Sequence, residues 1–256
     1  MSHIIALTNQ KGGVGKTTTA VNLAAGLAGL KHRILLVDLD PQGHATMGSG
    51  IDKHDLSAGS VLDVLLGERQ AKDVIVSAEE AGYDVLPGNG DLTAAEVDLI
   101  DQQGRERRLD GALGEVADEY DVILIDCPPS LNMLTVNALT ASHGVLIPLQ
   151  CEFYALEGLS ALLDTVEQIR DSVNPTLEIY GIIRTMFDNR NSLTRDVSKQ
   201  LSDYFGEALF KTAIPRNVRV AEAPSHGLPV TKYAKLSRGS HAYRVLAKEL
   251  SRRLSL

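Results

Sequence analysis

Six short runs rich in Val, Ile and Leu recur along the chain: HIIALT at 3–8, RILLVD at 33–38, YDVLP at 83–87, DVILID at 121–126, GVLIPL at 144–149 and LEIYGIIRT at 177–185. Longer amphipathic stretches separate them, with helical spacing at about 17–30, 91–101, 105–119, 131–141 and 155–171. Such alternation predicts an α/β fold, a mostly parallel twisted sheet with helices on both faces. Helical segments at about 194–205, 217–223 and 239–253 finish the chain, with IPRN (214–217) and APSHGLP (223–229) read as loops. In this fold class ligands sit beyond the carboxyl ends of the strands, and every notable motif falls at such an end.

A chain of 256 residues, 44% of them hydrophobic, can bury a substantial core and suits a single domain over 1–256. No internal repeat or Pro/Ser-rich linker divides it. No run reaches the length of a membrane span, and the start MSHIIALTNQ lacks the pattern of a signal peptide, so a cytoplasmic protein is expected. The formal net charge of −8 is unevenly spread. Residues 1–180 carry 11 Lys and Arg against 27 Asp and Glu, whereas residues 181–256 carry 14 against 6. The acidic part contains the motifs below; the basic C-terminal part is a candidate surface for a polyanion.

After the first run comes Gly12-Gly13-Val14-Gly15-Lys16-Thr17-Thr18. Glycines let a backbone turn tightly with its N–H groups aimed at phosphate oxygens, and the following helix adds its positive dipole end. This predicts a P-loop NTPase-like site in which Lys16 reaches the β- and γ-phosphates and the Thr17 hydroxyl ligates Mg2+. The general pattern G-x-x-x-x-G-K-[ST] fails at its first position, which is Gln10, and a second lysine, Lys11, precedes the glycines.

The variant K-G-G-x-G-K-[ST] resembles the deviant Walker A loop of the ParA/MinD class of P-loop ATPases. Further stretches extend the likeness over nearly the whole chain: VDLDPQGHAT at 37–46, DVILIDCPPSL at 121–131, NALTAS at 137–142, QCEFYALEGL at 150–159 and IPRNVRVAEAPSHGLPV at 214–230. Together they are similar to ParA/Soj-type chromosome-partitioning ATPases. The resemblance implies ATP and Mg2+ as cofactors, slow intrinsic hydrolysis, and an ATP-bound homodimer with two nucleotides sandwiched between subunits. Lys11 then crosses to the partner's phosphates, with Gly12 and Gly13 letting the two backbones approach closely.

Asp126 ends a hydrophobic strand and is expected to hold Mg2+, through water. By resemblance Asp40 orients the attacking water beside the metal, while Asp38 supports the metal from behind. Pro128 and Pro129 stiffen the segment after Asp126 into a switch that reports the γ-phosphate. Glu152 either meets Lys11 at the dimer interface or complements a helix N-terminus. Pro215 and Arg216 are candidates for lining the adenine. Cys127 and Cys151 could in principle assemble an iron–sulfur cluster across a dimer, but buried inert thiols fit their contexts better.

Arg190 and Arg219 match the family's DNA-contacting arginines, and Lys232, Lys235 and Arg238 add charge nearby. Without a recognition helix or an aromatic platform, the expected partner is double-stranded DNA bound without regard to sequence, through phosphates. The resemblance also implies a ParB-type centromere-binding protein that stimulates hydrolysis, and association with the nucleoid. Two rival readings stand beside it. One is MinD-like membrane positioning through the C-terminal stretch, with apolar residues at Ala242, Val245, Leu246, Leu250 and Leu254; the other is a P-loop ligase acting on a small carboxylate.

Overall fold

The structure, a computed structural model, describes residues 2–256 apart from the side chain of Glu96. Its strands are β1 (His3–Leu7), β2 (Ile34–Asp38), β3 (Val76–Ala78), β4 (Tyr83–Leu86), β5 (Val122–Asp126), β6 (Gly144–Gln150), β7 (Glu178–Phe187) and β8 (Leu209–Pro215). They form one sheet in the order β3-β4-β2-β5-β1-β6-β7-β8, parallel throughout except at the β3–β4 edge. The helices are α1 (Lys16–Ala28), α2 (His44–Gly48), α3 (Val61–Leu66), α4 (Ala71–Val74), α5 (Ala95–Asp98) and α6 (Arg108–Gly114), then α7 (Met133–Ala141), α8 (Ala155–Ser172), α9 (Ser192–Phe205), α10 (Val218–Glu222), α11 (Val230–Tyr233) and α12 (Arg238–Arg253).

Alternate residues of each central strand feed two separate cores. Ile4, Ala6, Ile123, Ile125, Val145 and Ile147 pack on one face, and Ile5, Leu7, Val122, Leu124 and Leu146 on the other. That two-sided burial is why the runs read as continuously apolar.

Several expected elements are shorter or differently placed. The stretch 91–101 is a tight turn at Gly90–Ala94 followed by the single turn of α5, and 105–119 is α6 flanked by two such turns. Gly104, Gly111 and Gly114 interrupt the helical pattern there, each costing about 1 kcal/mol relative to Ala inside a helix. Ile214 and Pro215 are not loop residues: they end β8, an edge strand where a proline's missing N–H is tolerated.

The last helix bears on the membrane reading. Ala242, Tyr243, Leu246, Ala247 and Leu250 of α12 are buried, and the helix lies so close on α1 that a Cβ on Gly26 would stand 2.7 Å from that of Ala247. Of the five apolar positions read in that stretch, Ala242, Leu246 and Leu250 are taken up by the protein's own core, Leu254 is half-buried and Val245 is exposed. Among the described residues no helix is long and apolar enough to cross a membrane.

A second close approach shapes the site directly. The N–H of Gly88, just beyond β4, donates to the Thr46 hydroxyl at 3.0 Å, and a Cβ on Gly88 would lie 2.2 Å from the carbonyl oxygen of Asp38. Backbone oxygen cannot rotate away as a side chain can. Gly88→Ala is therefore expected to cost about 1–3 kcal/mol, as overpacking does. Urea unfolding checks this, and an unchanged midpoint would show that the segment moves freely.

Candidate active site

The loop between β1 and α1 takes the shape its glycines permit. Gly13 (φ +74°) and Gly15 (φ +87°) are left-handed, a conformation that side chains resist. No atom lies within 4 Å of where a Cβ would stand on Gly12 or Gly13. From β7 the Thr185 hydroxyl donates to the Val14 carbonyl at 2.7 Å, and Asn9 fixes the entry by accepting from the Lys11 N–H at 2.9 Å while its amide donates to the Pro148 carbonyl at 2.8 Å. The contacts from Thr185 to Val14 and from Asn9 to Pro148 each span more than a hundred residues, so no local pattern signals them.

The two lysines differ in what surrounds them. Lys16, the first residue of α1, is only 6% exposed, and its ammonium donates back to the Lys11 carbonyl at 3.3 Å. Burial lowers its pKa, opposed by the charges of Asp126 and Asp40. Lys11 points out of the loop, and its Nζ stands 2.5 Å from Glu152 Oε2 of the same chain, both side chains a little under half exposed. Thr17 and Thr18, half-buried, follow Lys16 on α1. Beside them lies an apolar cavity of about 370 Å3, lined also by Val21, His44, Met47 and Pro224.

Parallel register places the acids. Asp126 pairs with both Leu7 and Asp38, so the carboxylates of β2 and β5 end side by side next to the loop. Asp38 is fully buried and satisfied: one oxygen accepts from the Thr46 N–H and hydroxyl, each at 2.7 Å, and the other from the Asp40 N–H at 3.2 Å. Burial nevertheless raises its pKa to about 6. Asp126 is equally buried, and among the described residues neither of its oxygens has a partner at full hydrogen-bond geometry, the Thr17 hydroxyl being a nearby donor. Burial, and next the charge of Asp38, push its pKa well up, against the pull of Thr17 and Lys16.

A buried carboxylate left without partners is what a cation ligand looks like without its cation. Magnesium fits this donor set. The described residues hold no cluster of three or more His, Cys, Asp or Glu able to cage a metal, and Mg2+ is bound through one or two carboxylates plus water and phosphate. Asp126 and the Thr17 hydroxyl are the residues that would hold it, with Asp38 behind and Asp40 at the mouth. Asp40, half-buried, accepts from the Gln42 N–H at 2.9 Å, a turn that presents the carboxylate toward the loop's rim.

Beyond Asp126 the backbone runs through buried Cys127 and Pro128 to exposed Pro129. Both cysteines are free and buried, and burial raises both thiols, Cys151 to about 11. Around Lys11 and Glu152 the surface is apolar: Leu131, Phe153 and Tyr154 are all more than half exposed. All three lie within the motifs at 121–131 and 150–159, whose pattern does not show that they face solvent.

The basic residues lie on the later strands' ends. Arg190 follows β7, half-buried Pro215 ends β8, and exposed Arg216 precedes α10, which carries Arg219. Asn217 caps α10 by accepting from the Val220 N–H at 3.3 Å. Lys232 sits on α11, Lys235 in the exposed turn that follows, and exposed Arg238 begins α12.

The orphaned carboxylate carries a prediction whose sign is fixed. A native pKa above the ordinary 3.8 means that the folded state holds the proton more tightly than the unfolded state, so this group subtracts stability as pH climbs above that value. In metal-free, nucleotide-free protein, Asp126→Asn should therefore unfold at a higher temperature than the parent. The gap should vanish near pH 4 and widen toward pH 8. A variant less stable at every pH would mean that the carboxylate has a partner.

The chain matches the AAA domain family over residues 2–179. It is 51% identical to the sporulation initiation inhibitor protein Soj of Bacillus subtilis over 98% of this chain and 99% of that one. It is also 49% identical to the chromosome partitioning protein ParA of Myxococcus xanthus, over 99% and 89%. Among solved structures, one described as cobyrinic acid a,c-diamide synthase of Mycobacterium smegmatis with ADP and magnesium superposes with a TM-score of 0.87 at 38% identity, over 100% of this chain and 96% of that one. By its loop, its sheet and these relatives, the chain belongs to the AAA-domain family and, within it, to the ParA/Soj group of chromosome-partitioning P-loop ATPases.

Proposed function

We propose that this protein is a nucleotide-gated DNA-binding ATPase that segregates or positions chromosomal origins or plasmids, working on the nucleoid. Mg-ATP binds at the Gly12–Thr18 loop, with Lys16 on the phosphates, Thr17 and Asp126 on the metal, and Asp40 positioning the attacking water. Pro215 and Arg216 border the adenine. A homodimer then closes across the loop, and Arg190, Arg219, Lys232 and Lys235 from both subunits meet duplex phosphates. A ParB-type partner stimulates hydrolysis and so releases the dimer.

The observation that carries this reading is the exposed position of Lys11. A lysine that served its own phosphates would be drawn into the loop, as Lys16 is; Lys11 instead stands on the rim beside two glycines with open space above them. Its pair with Glu152 is no obstacle to recruitment by a partner's phosphates, because an exposed ion pair contributes about 0–1 kcal/mol. The same face carries exposed Leu131, Phe153 and Tyr154, which gives a second copy apolar surface to cover. One monomer offers a weak basic patch, and two linked patches bind far more tightly.

Duplex DNA of unrelated sequences, titrated with ATP, ADP or no nucleotide over a salt series, tests the proposal. Binding should require ATP, ignore sequence and weaken steeply with salt. Lys11→Ala should retain nucleotide but lose ATP-dependent dimerisation and DNA binding together. Asp40→Ala should keep ATP, dimer and DNA while hydrolysis falls at least about 100-fold; loss of ATP binding in that variant would sink the role given to Asp40.

The likeness to a protein described as a diamide synthase favours one second reading, a ligase that uses ATP on a small carboxylate. ATP consumption that depends on such a substrate, without nucleotide-dependent dimerisation, would establish it.

A further inference from the structure

Two of the arginines assigned to DNA come with acids attached. Arg190, 91% exposed on its side chain, grips Asp188 through two bonds, Nε to Oδ1 at 2.9 Å and Nη2 to Oδ2 at 2.8 Å. The Arg190 N–H adds a third, to Oδ1 at 3.0 Å, and Asp188 is held down to a pKa of about 2. On α10, Arg219 Nη1 donates to Glu222 Oε2 at 2.7 Å, one turn along the helix. The Tyr233 hydroxyl reaches the same oxygen at 3.4 Å, and its ring stacks on His226 at 4.6 Å. By contrast, Arg216, Lys232, Lys235 and Arg238 make no ion pair within 4.0 Å among the described residues.

Arg190 and Arg219 are therefore already neutralised, whereas the other four have no such partner among the described residues, although Arg216 lies close enough to add to the pull on Asp188. We infer that Asp188 and Glu222 are counter-charges that set the DNA affinity of the dimer, competing with duplex phosphates for Arg190 and Arg219 and keeping binding weak enough to reverse. This rests on the DNA-binding reading above.

A phosphate reaching Arg190 finds the guanidinium's two-bond face occupied. Either the carboxylate lets go, and the ion pair is lost, or it stays and repels the phosphate from a few ångströms away. Both routes lower affinity. The opposing possibility is that each acid positions its arginine for DNA, in which case removing the acid weakens binding. The sign of the effect separates the two.

Isosteric neutral variants isolate the charge. Asp188→Asn keeps the turn, since the amide oxygen still accepts from the Arg190 N–H, and Glu222→Gln keeps the length of its side chain. Full-length protein held as a dimer by a slowly hydrolysed ATP analogue would be titrated with duplex of arbitrary sequence between about 50 and 200 mM salt, with Arg190→Ala and Arg219→Ala alongside.

Each neutral variant is expected to tighten binding by roughly threefold to tenfold at low salt, since the weak competing pair is removed twice per dimer. The slope of log affinity against log salt should steepen by about one for every phosphate newly neutralised. Unchanged or weaker binding in the acid variants, with binding lost in the arginine variants, would overturn the counter-charge assignment and leave the DNA reading intact. Arginine variants that bind as well as the parent would remove Arg190 and Arg219 from the DNA surface, and the counter-charges with them.

Discussion

Two buried carboxylates fixed side by side by parallel register, beside one buried lysine, are the constraint on which the rest of this structure depends. Asp38 and Asp126 end adjacent strands at the same level, so the main-chain ladder itself holds them together. Only Asp38 is satisfied, through Thr46 and the turn to Asp40. The surrounding elements answer to that unfinished charge. Lys16 is buried despite the cost of desolvating it, because the acids oppose the loss. Gly88 presses to within a missing side chain's distance of Asp38, closing the site from the β4 side.

The contrast between interior and rim follows from the same electrostatics. Buried groups here are coupled strongly enough to shift one another's protonation, and they cannot exchange partners without unfolding the loop. Lys11, Glu152, Arg190 and Arg219 lie in water, where each ion pair is weak and replaceable. A site built this way can keep its interior geometry fixed while its surface ion pairs are exchanged.

How far the sequence foretold this depended on whether a feature was local. The six apolar runs, the glycine loop and the acids at strand ends are short-range patterns, and the structure forms a strand at each run and brings Lys16, Asp38, Asp40 and Asp126 together. What escaped notice was non-local or broken by polar residues. Strand β8 reads LFKTAIP, and its Lys211 and Thr212 hide it; the Thr212 hydroxyl and both N–H groups donate to Glu249 of α12, 38 and 37 residues away. Strand β3 has three residues, too few for any periodicity. Asn9, Thr46 and Thr185 shape the site through hydrogen bonds that no spacing rule anticipates. The acids paired with Arg190 and Arg219 were visible as letters two and three positions away, but only geometry shows that they face their arginines.

The packing of α1 on α12 bears on how a nucleotide could govern a basic surface. Helix α1 begins with Lys16 at the phosphate loop, and at Gly26 it lies too close to α12 for even a methyl group. The Thr19 and Tyr243 hydroxyls meet at 3.4 Å in the same interface, and α12 in turn carries Glu249, which anchors the edge strand that leads to Arg216 and Arg219. Interfaces packed to this density move as one body rather than deform. The phosphate loop and the segment that carries Arg216 and Arg219 are thus joined in one packed frame. On the proposed function, ATP acts on DNA affinity by pairing two frames across Lys11, which doubles the number of basic patches without altering either one.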